Sequence, residues 1–150
     1  MPTDAEWEKA ARGGASGHRF PWGDTISESQ ANYYGDTGNY SYDLGPNGFN
    51  AAFTTGATPY TSPAGYFGAN RYGLYDMAGN VWEWCWDWYG GYSSGSQTDP
   101  RGPTSGSYRV LRGGSWIIYA EYCRAATRGY NPPTNSRNDV GFRPVLPPGQ

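Results

Sequence analysis

The chain has 150 residues, a formal net charge of −2 and an aromatic content of 17%, with seven Trp and fourteen Tyr. This length suits one domain with a core, so we predict a single domain over residues 1–150. Acidic and basic residues are interspersed, which argues against nucleic acid and a membrane surface as partners. Twenty-three Gly and twelve Pro approach the composition of disordered chains, but the many large rings favour a folded, loop-rich domain.

The N-terminal segment predicts one short helix. Thr3 and Glu6 have the spacing of a capping box, good helix formers continue to Arg12, and two glycines follow as a stop signal. The residues of this helix available for burial are Ala5, Trp7, Ala10 and Ala11. The N-terminus lacks a visible export signal and the chain lacks an apolar run of membrane-spanning length, so a cytoplasmic location is the default expectation.

Residues 20–68 show neither helical nor strand periodicity, and a loop of this length in a compact domain needs something to organise it. One possibility is a bound cation, because Asn32, Asp36 and Asn47 offer the hard oxygen ligands that calcium prefers. The other is the loop's own aromatic side chains, which are Phe20, Trp22, Tyr33, Tyr34, Phe49 and Phe53.

Trp residues alternate with polar residues over 82–88, a period-two pattern that predicts a strand with one aromatic face and Glu83 on the other. Residues 108–111 and 141–145 predict two further short strands, the second ended by Pro147 and Pro148. Residues 116–140 between them are typical of a surface recognition loop. We expect Trp82, Trp84 and Trp116 to belong to the core.

Cys85 and Cys123 lie 38 positions apart, which fits neither a zinc motif nor a dense disulfide framework, and we predict two free buried thiols. The single histidine, His18, offers neither a metal cluster nor a catalytic triad. Four arginines are expected to anchor the core by pairing with carboxylates or loop carbonyls, namely Arg112, Arg124, Arg128 and Arg143.

Five segments in this order resemble the formylglycine-generating enzyme, or sulfatase-modifying factor, family. They are residues 2–8 (PTDAEWE), 21–23 (PWG), 73–84 (GLYDMAGNVWEW), 112–116 (RGGSW) and 141–143 (GFR). The resemblance implies an α+β, loop-rich, divergent C-type lectin fold. The family's domain normally begins well upstream of the first segment, so the N-terminal third is expected to be missing, which would expose a strand edge and favour self-association.

Catalytic members of the family hold copper between two cysteines, five residues apart, that follow the Arg-Gly-Gly-Ser segment. The resemblance puts the second at Cys123, the catalytic candidate if the chain is an enzyme, and the first at Ile118. Isoleucine cannot bind copper, so copper is not expected and the chain is interpreted as a binder rather than an enzyme. Formylglycine formation, or an inactive scaffold whose loop aromatics pack internally, remain the alternatives.

Variable proteins of diversity-generating retroelements resemble this family too, and they carry a C-terminal repeat in which Asn codons are randomised at adenines. The corresponding region here is residues 112–143. An AAC codon randomised at its adenines can never encode Lys, Glu, Gln, Met or Trp, and among residues 117–139 only Glu121 belongs to that set. The resemblance implies a protein or other macromolecular ligand. The candidate ligand-binding residues are Trp116, Ile117, Ile118, Tyr119, Tyr122, Thr127, Gly129, Tyr130, Asn131, Thr134, Ser136 and Asp139.

The resemblance also implies structural calcium. The first site would use the carbonyls of Ala78, Gly79 and Val81 with the carboxylate of Glu83, and the alternative for Glu83 is pairing with an arginine such as Arg112. A second, weaker site would comprise Asn32, Tyr33, Asn47 and Phe49, with Asn47 where the family has Asp.

Overall fold

The computed structural model describes residues 1–146. Helix α1 spans Asp4–Arg12 and begins at the predicted capping box, in which Thr3 Oγ1 accepts from the Glu6 amide at 3.2 Å and Glu6 Oε2 accepts from the Thr3 amide at 2.8 Å. The helix ends at Gly13, whose φ of 56° is left-handed. The predicted helix is therefore confirmed at both ends.

Six short strands form two sheets. β1 (Tyr34–Gly35) and β2 (Gly48–Phe49) are an antiparallel pair, while a four-stranded sheet has the order β5-β4-β3-β6. Its strands are β3 (Trp82–Trp88), β4 (Arg109–Arg112), β5 (Gly129–Asn131) and β6 (Val140–Gly141), of which only β3 and β6 run parallel. The α+β, loop-rich class is confirmed, and β5 and β6 are the two sheet edges.

Two of the segment predictions need correction. The strand predicted over 141–145 is only the two-residue β6, and Pro147 and Pro148 lie outside the described residues. The predicted loop 116–140 contains β5 and a 3-10 helix over Ala120–Cys123. Short elements of this kind are stabilised by packing onto the rest of the fold, so local periodicity does not reveal them.

The buried face of β3 is its polar face, contrary to the expected role of its tryptophans. Glu83 and Asp87 are 7% and 3% exposed, whereas Trp82 and Trp84 are half-buried rather than core and Trp86 is 54% exposed. Helix α1 packs on the polar face and satisfies its carboxylates, since the Asp4 amide donates to Asp87 Oδ2 at 2.8 Å. Burial of polar groups is tolerated here because each finds a hydrogen-bond partner.

Two clusters of buried side chains form the core. One joins α1 to the sheet through Trp7, Ala11, Met77, Cys85, Val110 and Ala125, and the other lies under the long loop and contains Phe20, Ile26, Ala31, Tyr33, Ala78, Ala120 and Cys123. Both cysteines are free and buried, as predicted. The loop's own rings organise it, for example Tyr34 against Phe49 at 4.8 Å between centroids.

Arg112 is the buried centre that ties α1 to the sheet and to the segment after it. It is 0% exposed, pairs with Asp4 and with Glu8 at 2.7 Å, and donates to the carbonyls of Ala125 and Thr127 at 2.9 Å each. The expected anchoring role of the arginines is thus confirmed for Arg112. No helix within residues 1–146 is long and apolar enough to cross a membrane.

Candidate ligand-binding surface

Residues 114–118, near the start of the candidate region, are fixed by contacts of their main chain. Gly114 has a φ of 78°, and a Cβ atom there would lie 2.7 Å from the Cys123 sulfur. The Trp116 amide donates to the Asn80 carbonyl at 2.9 Å, and the Ile118 carbonyl accepts from the Tyr34 amide at 3.0 Å. These contacts use backbone atoms, so they leave the side chains of the segment available for other roles.

The twelve candidate residues divide by burial. Trp116 and Asp139 are 2% and 1% exposed, so they support the surface from beneath and are not part of it. Trp116 packs on Phe49 and Tyr60, while Asp139 accepts from Arg137 at 2.7 Å. The half-buried candidates are Ile118, Thr127, Gly129 and Asn131, and the exposed ones are Ile117, Tyr119, Tyr122, Tyr130, Thr134 and Ser136.

Tyr119 is the centre of an aromatic patch, which we define as Tyr34, Tyr40, Tyr42 and Tyr119. Its ring lies 5.5 Å from that of Tyr34 and 5.8 Å from that of Tyr40, and Tyr40 contacts Tyr42 at 5.7 Å. Sequence reasoning missed Tyr40 and Tyr42. The repeated tyrosines of residues 33–42 were the available signal, but only the fold brings them to Tyr119.

Tyr130 lies apart from the aromatic patch. It is paired across β4 and β5 with Val110, a core residue on the α1 side of the sheet, and its ring contacts Tyr89 at 4.4 Å and Tyr108 at 5.2 Å. Gly129, its neighbour, faces Trp82 on the other side of the sheet. The candidate residues therefore form at least two surfaces and not one.

The thiols are not arranged as reactive groups. Burial raises the pKa of Cys123 to about 12 and also raises the pKa of Cys85, which lies in the other core cluster. Cys123 is 0% exposed, and Ile118 occupies the position where the family resemblance places the other copper-binding cysteine. Thiolates are the form that binds copper or attacks a substrate, and burial disfavours the thiolate form of both cysteines.

The carboxylate of the first expected calcium site accepts hydrogen bonds from side chains of the same chain. Arg143 donates to both oxygens of Glu83, at 2.5 and 2.7 Å, and Trp7 Nε1 donates to Oε2 at 2.6 Å. An arginine thus supplies positive charge to the Glu83 carboxylate. This arginine is Arg143 and not Arg112, the example expected from the sequence. Ala78 and Gly79 are buried beside this strand and Val81 is half-buried.

The second expected calcium site is also differently connected. Asn32 bridges to Gly79, and its carbonyl accepts from the Asn80 amide at 2.7 Å. Asn47 Oδ1 accepts from the Thr37 amide at 2.7 Å. Tyr33 is a core residue and Phe49 packs against Trp116. Calcium binding by this chain stays a prediction.

Comparison with known proteins identifies the family. Residues 1–147 match the sulfatase-modifying factor enzyme 1-like domain. The formylglycine-generating enzyme of Thermomonospora curvata is 41% identical over 159 residues, covering 99% of this chain and 49% of that protein. The serine/threonine-protein kinase pkn1 of Chlamydia caviae is 42% identical over 147 residues, covering 95% of this chain and 20% of that protein.

A solved structure, Treponema denticola variable protein 1, superposes with a TM-score of 0.73 at 38% identity and covers 95% of this chain and 45% of that one. This chain spans about half the length of that structure and of the bacterial enzyme, and a fifth of the kinase. The match extends over nearly all of its residues, and the chain therefore belongs to the sulfatase-modifying factor enzyme 1-like, or formylglycine-generating enzyme, family.

Proposed function

We propose that this chain is a ligand-binding domain that displays a diversified surface from residues 112–143 on a C-type-lectin-like scaffold. The observation that carries the proposal is the exposure of four large side chains of this region, Ile117, Tyr119, Tyr122 and Tyr130, at 40 to 53%. Tyrosine supplies a large, rigid and amphipathic contact at low entropic cost, which suits recognition of a protein or another macromolecule.

The backbone contacts of the region support the same function. Arg112 donates to the carbonyls of Ala125 and Thr127, and Ile118 is joined to Tyr34 through main-chain atoms. Replacing an exposed side chain leaves all of these bonds intact. A scaffold held by its main chain is what a surface with variable side chains requires.

The similarity to Treponema denticola variable protein 1, at 38% identity, supports this reading, since that protein is named for its variability. The decisive test is the DNA beside the coding region. We expect a near-copy of the segment coding for residues 112–143, differing mainly at adenines, next to a reverse transcriptase gene. A locus with neither the copy nor the reverse transcriptase would refute diversification.

The second candidate function is formylglycine formation, favoured by the 41% identity to the enzyme of Thermomonospora curvata. Ile118 and the buried Cys123 argue against it, because a two-thiolate copper site needs both soft ligands. Incubation with copper and a cysteine-containing sulfatase peptide, followed by mass spectrometry, separates the two functions. An aldehyde product would establish catalysis, and unchanged peptide is expected for a binding domain.

A further inference from the structure

A cleft of about 740 Å³ lies between the end of α1 and the segment that follows the 3-10 helix. Four of the chain's ten arginines line it, and Asp24 is the one acidic residue among the described residues that do so. The four arginines are Arg12, Arg19, Arg124 and Arg128. Two of these arginines are ion-paired, Arg12 with Glu8 and Arg128 with Asp4, while Arg19 and Arg124 form no ion pair among residues 1–146.

The two loops that form the cleft are joined at its base by a main-chain bond, in which the Ala125 amide donates to the Arg19 carbonyl at 2.9 Å. Arg19 and Arg124 flank this bond and both are exposed. The Arg19 guanidinium lies 4.4 Å from the centre of the Tyr42 ring. Burial raises the pKa of the Tyr42 phenol, and the charges of Arg124 and Arg19 oppose that shift.

Arg19 and Arg124 retain donors for a ligand. Within residues 1–146, Arg124 uses only Nε, which donates to the Glu121 carbonyl at 2.7 Å, and Arg19 uses only Nη1, which donates to the Asp24 carbonyl at 2.9 Å. The Asp24 carboxylate accepts from the Arg19 amide at 2.9 Å and contacts His18. Among residues 1–146, its ion-pair contact is with His18 and not with the guanidinium group of Arg19 or Arg124.

Arg12 and Arg128 form the more rigid wall. Arg12 donates to Glu8 and to the His18 carbonyl, and Arg128 pairs with Asp4 at 2.8 Å and donates to the Gly90 carbonyl. Their guanidinium groups are held in fixed positions by these contacts. Because these guanidinium groups are already fixed, a ligand that contacts them loses little further side-chain entropy on binding, which favours specific recognition over non-specific attraction.

We propose that this cleft binds the phosphate groups of a small polyphosphorylated molecule. Guanidinium groups match phosphate oxygens in pairs, and a volume of about 740 Å³ lies in the range of small-molecule sites. Of the twelve candidate ligand-binding residues, only Thr127 lines the cleft, although Arg124, Ala126 and Arg128 also belong to residues 112–143. The two functions can therefore fail or hold independently.

The test is isothermal titration calorimetry of the whole chain with inorganic tripolyphosphate at low ionic strength. We expect saturable binding, weakened at least about tenfold by Arg19→Gln and by Arg124→Gln, and abolished in the double variant. Arg101→Gln is the matched control, because Arg101 is exposed, carries the same charge and lies outside the cleft. Its affinity should stay within about twofold of the wild type.

Three results would overturn the proposal. The first is the absence of saturable binding by the wild-type chain. The second is an equal loss of affinity in Arg101→Gln, which would mean that net charge alone attracts the anion. The third is equal affinity for citrate, which would remove phosphate as the recognised group. Melting temperatures of the variants establish that each is folded, which the exposure of Arg19 and Arg124 leads us to expect.

Discussion

Arg143 forms a two-point ion pair with Glu83, through Nε at 2.5 Å and Nη2 at 2.7 Å. The side chains are 24% and 9% exposed, so the pair is largely shielded from water. Arg143 follows β6 and also donates to the carbonyls of Tyr75 and Asp76 at 3.2 Å. One side chain near the end of the described chain thus fixes β3, β6 and the segment before β3.

Replacing Arg143 by Met should destabilise the fold strongly. The change leaves the Glu83 carboxylate buried without its cation, and breaking such a pair costs on the order of 3 kcal/mol. Urea unfolding measures the loss. The double variant Glu83→Gln with Arg143→Met is the control, and it should recover most of the stability because no charge is left unpaired. Equal losses in both would show that Arg143 acts through its packing.

The same variant tests the expected calcium site at Glu83. With Arg143 in place, chelation should leave the melting temperature unchanged, because the arginine supplies the positive charge. In Arg143→Met, the carboxylate is free to accept a cation, and millimolar calcium should raise the melting temperature more than in the wild type. A chelator effect on the wild type would show that calcium binds despite Arg143, and no calcium effect on the variant would remove Glu83 as a ligand.

Substitutions of exposed rings on the proposed display surface should cost much less stability than a substitution in the core. Changing Tyr119, Tyr122 or Tyr130 to Ser removes an exposed ring, and the aromatic contacts of each are worth about 1 kcal/mol. Trp116→Ala is the contrasting variant, since a buried Trp costs about 3 to 5 kcal/mol when truncated. Chemical unfolding of the four variants compares them. A loss in any Tyr variant as large as that of Trp116→Ala would identify that ring as core.

Local patterns predicted the elements but not how they pack. The capping box of Thr3 and Glu6 is complete within four residues, so the sequence predicted where α1 begins. Alternation predicted β3, but the choice of its buried face depends on Asp4, Trp7 and Arg143, which are 60 or more positions from their partners. Periodicity cannot report such distant hydrogen bonds, so the Trp face was assigned to the core incorrectly.

The sites show the same division. The candidate region 112–143 could be read from the motifs at its ends, and its exposed tyrosines suggested recognition. The arginine cleft could not be found, because Arg12, Arg19 and Arg124 come from two segments about 100 positions apart, which only the fold brings together, for example through the bond between Ala125 and Arg19. A balanced charge along a sequence does not reveal a local excess created by folding.

The stability of this protein should depend on pH through Glu28. Burial, and then the charge of Asp43, raise the pKa of Glu28 from 4.5 to about 7. The side chain is 7% exposed, and Oε1 lacks a hydrogen-bond partner among residues 1–146. Because the folded pKa is the higher one, the stability from the protonated form is complete below pH 4.5 and is lost as the pH rises through 7.

Glu28→Gln keeps the shape of the side chain and removes this titration. The variant should exceed the wild type in free energy of unfolding by on the order of 2 kcal/mol at about pH 8, and the difference should shrink towards about pH 4. Unfolding curves of both proteins across this range give the difference directly, and other titrating groups cancel in it. A difference that stays constant with pH would exclude Glu28 as the group responsible.

Gly114→Ala should be among the most destabilising small substitutions. The residue has a φ of 78°, and an added Cβ would lie 2.7 Å from the Cys123 sulfur and 3.1 Å from its amide nitrogen. The backbone strain alone costs about 1 to 2 kcal/mol, and the clash with main-chain atoms of the 3-10 helix adds to it. Gly48→Ala is the matched control, because Gly48 has a φ of 96° but open space around its Cβ position.

Urea unfolding should show a loss of unfolding free energy for Gly114→Ala at least twice that for Gly48→Ala. Equal losses would mean that the 3-10 helix yields to the methyl group, and that the segment carrying Tyr119 and Tyr122 is less firmly held than the proposed display surface requires.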